Sequence, residues 1–258
     1  NRQQNQEKSR EHAWSGKVNA NYFSKVAHTP DYFKIEVNAD FEHKTGTIFS
    51  DYRLRYGQSA QSLRPDEHQL RFVDVPTTKI HAKFRTEYVY RPEWGSITSF
   101  LDVSAAHLED NRNFYRLDRL GASTPEFGAL PSTTAALFQT LDTPNSYDSR
   151  HNSLNGTLGA RCTIWLGGKL PNQHITFTPT VNGSIERLTY RRDALHAHPR
   201  RNQLFFLPTL SWGFDNCHIT YRMHAAYPEL FHLLDYTDNA DPLNLYYGNP
   251  HLQRSTSH

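Results

Sequence analysis

No stretch of the 258 residues is a long hydrophobic run. A membrane-crossing helix needs about 18 or more consecutive apolar residues, and none is present, so a helical membrane protein is excluded. A transmembrane β-strand is not excluded with it, because only every second residue of such a strand meets lipid. An excess of charge of one sign is also lacking. The 28 Lys and Arg against 26 Asp and Glu leave a formal +2, which gives no electrostatic case for nucleic acid as a partner. Cysteine is scarce: Cys162 and Cys217 fall on the apolar faces of separate strand patterns and read as unpaired small apolar residues rather than a disulfide. No EF-hand loop and no cofactor motif is found. The opening Asn1-Arg2-Gln3-Gln4 has no apolar core of a signal peptide. With no initiator Met and an end within a motif at His258, the chain is expected to be a piece of a longer protein.

What the sequence does have is aromatics, 15 Phe, 14 Tyr and 4 Trp, and a period-two alternation that marks β-strands. Residues 1–16 are polar and unpatterned and are expected to be a connector. From Lys17 the alternation begins with Val18, Ala20 and Tyr22 on one side. After a turn at Thr29-Pro30-Asp31, Phe33, Ile35, Val37, Ala39 and Phe41 alternate with Lys34, Glu36, Asn38 and Asp40. Lys44-Thr45-Gly46 carries a turn signal, followed by a strand to Tyr56 and a polar segment, Gly57 to Thr78. In Lys79–Tyr90, Ile80, Ala82, Phe84, Tyr88 and Tyr90 share one side. Arg91-Pro92-Glu93 turns the chain into Ile97 to His107, and Glu109 to Arg150 reads as a long, weakly patterned loop. Leu154 to Leu166, Ile175 to Tyr190, Leu204 to Phe214 and Cys217 to Met223 complete about nine strands. The turns at Leu170-Pro171-Asn172 and Asp215-Asn216 are short, whereas the loops Arg191–Arg201 and Tyr227–Leu252 are long.

Short and long connections in alternation, with apolar rows ten or so residues long, predict an all-β fold: an antiparallel meander of long transmembrane strands, part of a large outer-membrane β-barrel. Residues 17–258 form the partial barrel domain, and its partner is outer-membrane lipid. The soluble alternative, an all-β binding or adhesion module, places the same apolar rows in a core and the charges in water. Pro179 and Pro208 inside strands each remove a ladder donor and argue for that alternative. In the barrel reading the short turns at Lys44, Pro92, Pro171 and Asn216 are periplasmic. The long loops are then extracellular, with mobility concentrated at Asn111 to Asn145.

Three groups of residues carry candidate chemistry. The charged row Lys79, His81, Lys83, Arg85 and Glu87 faces away from the apolar side, lining either a solute path or simply a solvated lumen. His151, Ser153 and Asn155 resemble the His–Ser arrangement of outer-membrane phospholipases, but they share the polar face, whereas a lipase presents such residues to the bilayer. The enzyme reading is therefore set third, and no catalytic residue is assigned. His196 and His198, with His224 and His232, have ligand chemistry but no metal-site spacing, and no metal is assigned.

The segment Leu204–Leu252 resembles a known family. An alternating strand, Tyr227-Pro228, Asp238-Asn239, Asp241-Pro242-Leu243-Asn244 and Gly248-Asn249-Pro250 follow in the order seen in TonB-dependent, SusC-like outer-membrane receptors of the Bacteroidetes type. Leu141-Asp142-Thr143-Pro144-Asn145-Ser146-Tyr147 and Glu186-Arg187-Leu188-Thr189-Tyr190-Arg191 are similar to that family as well. Gln253-Arg254-Ser255 departs from it, standing where Lys-Pro-Glu is usual. The resemblance implies a barrel of roughly 22 strands with a plug, of which this chain would be less than half, and which takes up a ligand. It implies partnership with the TonB complex through regions outside this chain, and with a surface lipoprotein. The motif residues Asp241, Pro242, Leu243, Asn244, Gly248, Asn249 and Pro250 are expected to be structural, since Pro and Gly fix the backbone and Asp and Asn cap it locally. The ligand is not named by the sequence.

Overall fold

A computed structural model describes residues 2–55, 67–167, 173–214, 217–234, 237–238, 246–249, 251–252 and 255–257. The fold is all-β. Its centre is one antiparallel sheet of eleven strands that is not closed. The first four strands are long: β1 (Arg2–Lys25), β2 (Tyr32–Arg55), β3 (Glu67–Tyr90) and β4 (Gly95–Arg116). β5 (Tyr147–Trp165) follows, then β6 (His174–Thr178) and β7 (Thr180–Arg192), which both pair with β5 and form one row broken at Pro179. β8 (Leu195–Ala197) folds back on the end of β7. β9 (Arg200–Phe206) and β10 (Thr209–Phe214) make another broken row, beside β7 and β6, and β11 (Cys217–Arg222) closes the series. The path therefore has eight successive rows, each antiparallel to the last. Small outlying pairs join β12 (His224–Ala226) to β15 (Ser255–Ser257), and β13 (Thr237–Asp238) to β14 (Tyr246–Tyr247).

Several boundaries differ from the sequence expectation. Residues 2–16 are not a connector but the first part of β1, in continuous register with β2. Lys44-Thr45-Gly46 is not a turn: Gly46 sits mid-strand between Glu11 and Val75, and a Cβ there would lie 2.9 Å from Val75 Cγ2, so the glycine answers a close cross-strand approach. Removing that turn reduces nine strands to eight rows. Residues 67–78 belong to β3, and 109–116 and 147–150 belong to strands rather than to a loop. The turns expected at Leu170-Pro171-Asn172 and Asp215-Asn216 lie outside the described residues. Both prolines do interrupt a row, yet the rows continue past them: the Pro179 carbonyl accepts from Ala160 N at 3.2 Å, and Leu207 N donates to the Thr180 carbonyl at 2.8 Å.

Register divides the sheet into two faces, since neighbouring side chains in a strand point to opposite sides. Val37 lies beside Phe84, Phe84 beside Val103, Val103 beside Gly156, Gly156 beside Gly183 and Gly183 beside Leu204. By the same register Val18, Tyr22, Ile80, Leu158, Val181, Phe206, Trp212 and Ile219 share that face. These apolar side chains are not covered: Leu158 is 61% exposed, Leu204 75% and Phe206 57%. They form a belt near the short-turn end of the sheet. The belt stops at one level, where its face turns to polar cross-strand pairs: His43 with Thr78 at 2.9 Å, His107 with Asn152 at 2.8 Å and Arg150 with Glu109 at 3.1 Å.

Beyond the belt, two small packed clusters cap the sheet. On the belt's face, Phe49, Phe72 and Tyr115 stack from strand to strand and are covered by Leu117, Phe127, Leu137 and Leu141 of the 117–146 connector. That connector, expected to have weak local order, is folded. It holds a 3-10 segment (Leu117–Ser123) and α1 (Thr134–Gln139), whose N-terminal amide Ala136 N donates to Thr133 Oγ1 at 3.2 Å. Its returning end is tied to β4 by Asp142 N donating to the Phe114 carbonyl at 2.8 Å. On the opposite face, Leu188 and Tyr190 are buried under Leu230 and Leu234.

Candidate polar-face cleft

The face opposite the belt is rich in Lys, Glu, Asp, Asn, Ser and Thr, and its charges are tied across strands. Lys34 meets Glu36 at 2.6 Å, and Arg85 reaches Glu87 at 3.1 Å and Asp102 at 3.6 Å. The row Lys79, His81, Lys83, Arg85 and Glu87 lies on this face, as its alternation indicates. Lys79 pairs with Glu42 at 3.7 Å and His81 with Asp40 at 3.3 Å, so the row is stitched into neighbouring strands rather than aimed at a common point. None of the five lines the cleft described next.

That cleft, about 560 Å³, lies on the polar face where β4, β5, β7 and β9 meet the segment after β12. Alternation along β5 delivers Ser149, His151, Ser153 and Asn155 to its floor, and along β7 it delivers Glu186 and Leu188. Tyr227 and the short 3-10 segment Leu230–Leu233 form its roof. Arg201 fastens roof to floor. Its Nη1 donates to the Pro228 carbonyl, its Nη2 sits 2.7 Å from Glu186 Oε2, and its guanidinium lies 5.2 Å from the Tyr227 ring centre. Ser184 Oγ donates to the other Glu186 oxygen at 3.0 Å. His151 Nε2 is 3.7 Å from Glu186 Oε2, and among the described residues both that nitrogen and Arg201 Nε are buried without a hydrogen-bond partner.

At the far end of the cleft, Tyr147 OH donates to Asp110 Oδ2 at 3.0 Å, and Thr77 Oγ1 donates to Asp110 Oδ1 at 3.0 Å. Burial, reinforced by the Asp110 charge, holds the Tyr147 phenol well above its ordinary value, so it remains a neutral donor. The arrangement offers a polar solute several donors and acceptors beside aromatic surface. Ser153 and His151 share its floor, and no hydrogen bond joins them among the described residues.

Sequence reasoning picked out His151, Ser153 and Asn155 and placed them on the polar face, where they lie. It missed Glu186 and Arg201. A signal for Glu186 existed, since it is the first acid in the row Thr176, Thr178, Thr180, Asn182, Ser184, Glu186. The roof depends on where the chain goes after Ala226, which no local pattern encodes. Of the Asp-Pro-Leu-Asn…Gly-Asn-Pro motif, Asp241, Pro242, Leu243, Asn244 and Pro250 lie outside the described residues. Asn249 has a local role: its N–H donates to the His232 carbonyl at 2.8 Å and its Oδ1 accepts from His251 N at 2.9 Å. Among the described residues no group of three or more His, Cys, Asp and Glu gathers as a metal site. Both cysteines are free. No known family model matches the chain, and no curated protein matches it.

Proposed function

We propose that this chain is a portion of the wall of an outer-membrane receptor that takes up a ligand in a TonB-dependent manner. The observation that carries the membrane part of the reading is the exposed apolar belt, confined to one face and continuous across eight rows. A soluble β-sandwich covers such a face with a second sheet; here the belt residues stand open, with Leu204 75% exposed. The height suits a bilayer. The β5 row from Leu154 to Leu166 runs about 40 Å along the strand at about 3.3 Å per residue, or about 30 Å across a membrane at the usual barrel tilt, against an apolar band of about 25 Å. Aromatics stand near both limits: Trp14, packed 4.6 Å from Phe41, at one, and Tyr22, Tyr88 and Tyr90 at the other.

An open sheet suits a partial wall, because a spanning β-structure must close to satisfy its edges. Eight strands closing alone would leave an interior just wide enough for side chains. The polar face instead carries a cleft of about 560 Å³ and a roof segment, which favours a wider barrel. The receptor and TonB-dependent parts of the proposal rest on the resemblance of residues 204–252, and the cleft is the natural resting place for the ligand. The test is fractionation of cells expressing the full-length protein. Recovery in the outer membrane, with a gel mobility that changes on boiling, is the expected result. Recovery as a detergent-free soluble protein would overturn it.

A further inference from the structure

The belt is not smooth where it meets the polar rim. Ala82 lies opposite Ala105, and these small side chains line a trough of about 470 Å³ bordered by Ile80, Leu154 and Ile185. At its polar end stand His107, Asn152 and Arg187. Arg187 faces Arg200 directly across the β7–β9 ladder, and both are exposed. Like charges placed directly opposite in a sheet repel, and neither has an ion-pair partner among the described residues. The acids on this face lie further along: Glu109 is engaged by Arg150 at 3.1 Å, and Asp148 stands across from Arg191. An apolar trough ending in two unneutralised guanidiniums has the polarity of a lipid, tail against the belt and phosphate at its border.

Resting on the membrane reading above, we infer that this trough and the Arg187–Arg200 pair form a docking site for an anionic phospholipid. The acyl chain lies along Ile80, Ala82, Leu154 and Ile185. The phosphate accepts hydrogen bonds from Arg187 and Arg200, relieving their repulsion, with the His107 edge beside it. Arginine suits the role because its planar fork matches phosphate oxygens.

The test is native mass spectrometry of the full-length protein in neutral detergent, titrated with phosphatidylglycerol or with phosphatidylcholine of identical tails. Wild type should retain phosphatidylglycerol in preference. The double variant R187Q/R200Q should lose retention roughly 25-fold, about fivefold for each arginine near a charged lipid surface. Ala82→Leu, which fills the trough at constant charge, should lower retention as well. The charge-matched control R161Q/R222Q, on the polar face, should leave it unchanged. Equal retention of both lipids, equal loss in the control, or displacement by millimolar inorganic phosphate alone would overturn the docking site. In those cases the membrane reading would still stand if the protein enters phosphatidylcholine vesicles. Failure to enter vesicles of either lipid would overturn both.

Discussion

Leu158→Arg separates a lipid-facing belt from an ordinary protein surface. Leu158 lies mid-row in β5, beside Leu101 on one side and Val181 on the other, and is 61% exposed. With so much of the side chain already uncovered, replacing it loses little packing, and in water a surface substitution changes stability by about 0.5 kcal/mol or less. If the same face meets the bilayer near its midplane, arginine there costs about 2–4 kcal/mol, roughly 30- to 1,000-fold in the folded-to-unfolded ratio. Phe84→Arg, 38% exposed on the same face of β3, should cost about the same 2–4 kcal/mol. Thr157→Arg, one residue away on the polar face, is the control and should stay within about 0.5 kcal/mol. The assay is denaturant unfolding of the full-length protein in phosphatidylcholine vesicles, read by tryptophan fluorescence. Equal, small effects of Leu158→Arg and Thr157→Arg would refute the reasoning, because the two positions differ chiefly in which face they occupy.

Other consequences are as direct. Asp51, 8% exposed and beyond the belt on β2, is held below the ordinary carboxylate value, chiefly by the Arg53 hydrogen bond against the opposing effect of burial, with His68 adding to it. A depressed folded value means that its stabilisation is complete above about pH 4 and is lost as pH falls through the lower folded value. Asp51→Asn should flatten that acid limb in a pH series of unfolding midpoints, and an unchanged limb would contradict it. Arg201→Gln removes the tie between Glu186 and the Pro228 carbonyl. It should cost about 1.5–3 kcal/mol and expose the Leu230–Leu234 amides to hydrogen exchange, whereas unchanged protection would place the roof's anchor elsewhere. If the short turns are periplasmic, trypsin added to intact cells should cut after exposed Arg119 and spare Lys25; the reverse pattern would invert the wall.

The belt was legible in the sequence because apolar and polar residues alternate there. Phe33 to Phe41, Ile80 to Tyr90 and Leu204 to Phe214 all fall on the face their periodicity assigned. What was misread lies beyond the belt. Residues 2–16 are polar on both faces except near Trp14, and in 67–78 and 109–116 the apolar residues come as neighbours, Phe72 with Val73 and Phe114 with Tyr115, one to each face, so the period-two signal is lost while main-chain pairing continues. Gly46 was read as a turn residue because its close approach to Val75 is a cross-strand fact, invisible along one strand. The cleft was half legible: alternation placed His151 and Ser153 on the polar face, but the Arg201–Glu186 tie and the roof at Tyr227–Leu234 join segments that only tertiary structure brings together.

The central claim, that one face of this sheet meets lipid and the other water, is tested most directly by spin labels walked through residues 204–214. The labels would be placed in the full-length protein with Cys162 and Cys217 replaced, reconstituted in bilayers. Labels at 204, 206, 210 and 212 should collide with oxygen and be shielded from a water-soluble nickel chelate, while labels at 205 and 211 should show the reverse. A loss of this alternation, or labels at 204 and 206 open to the nickel chelate, would contradict the account.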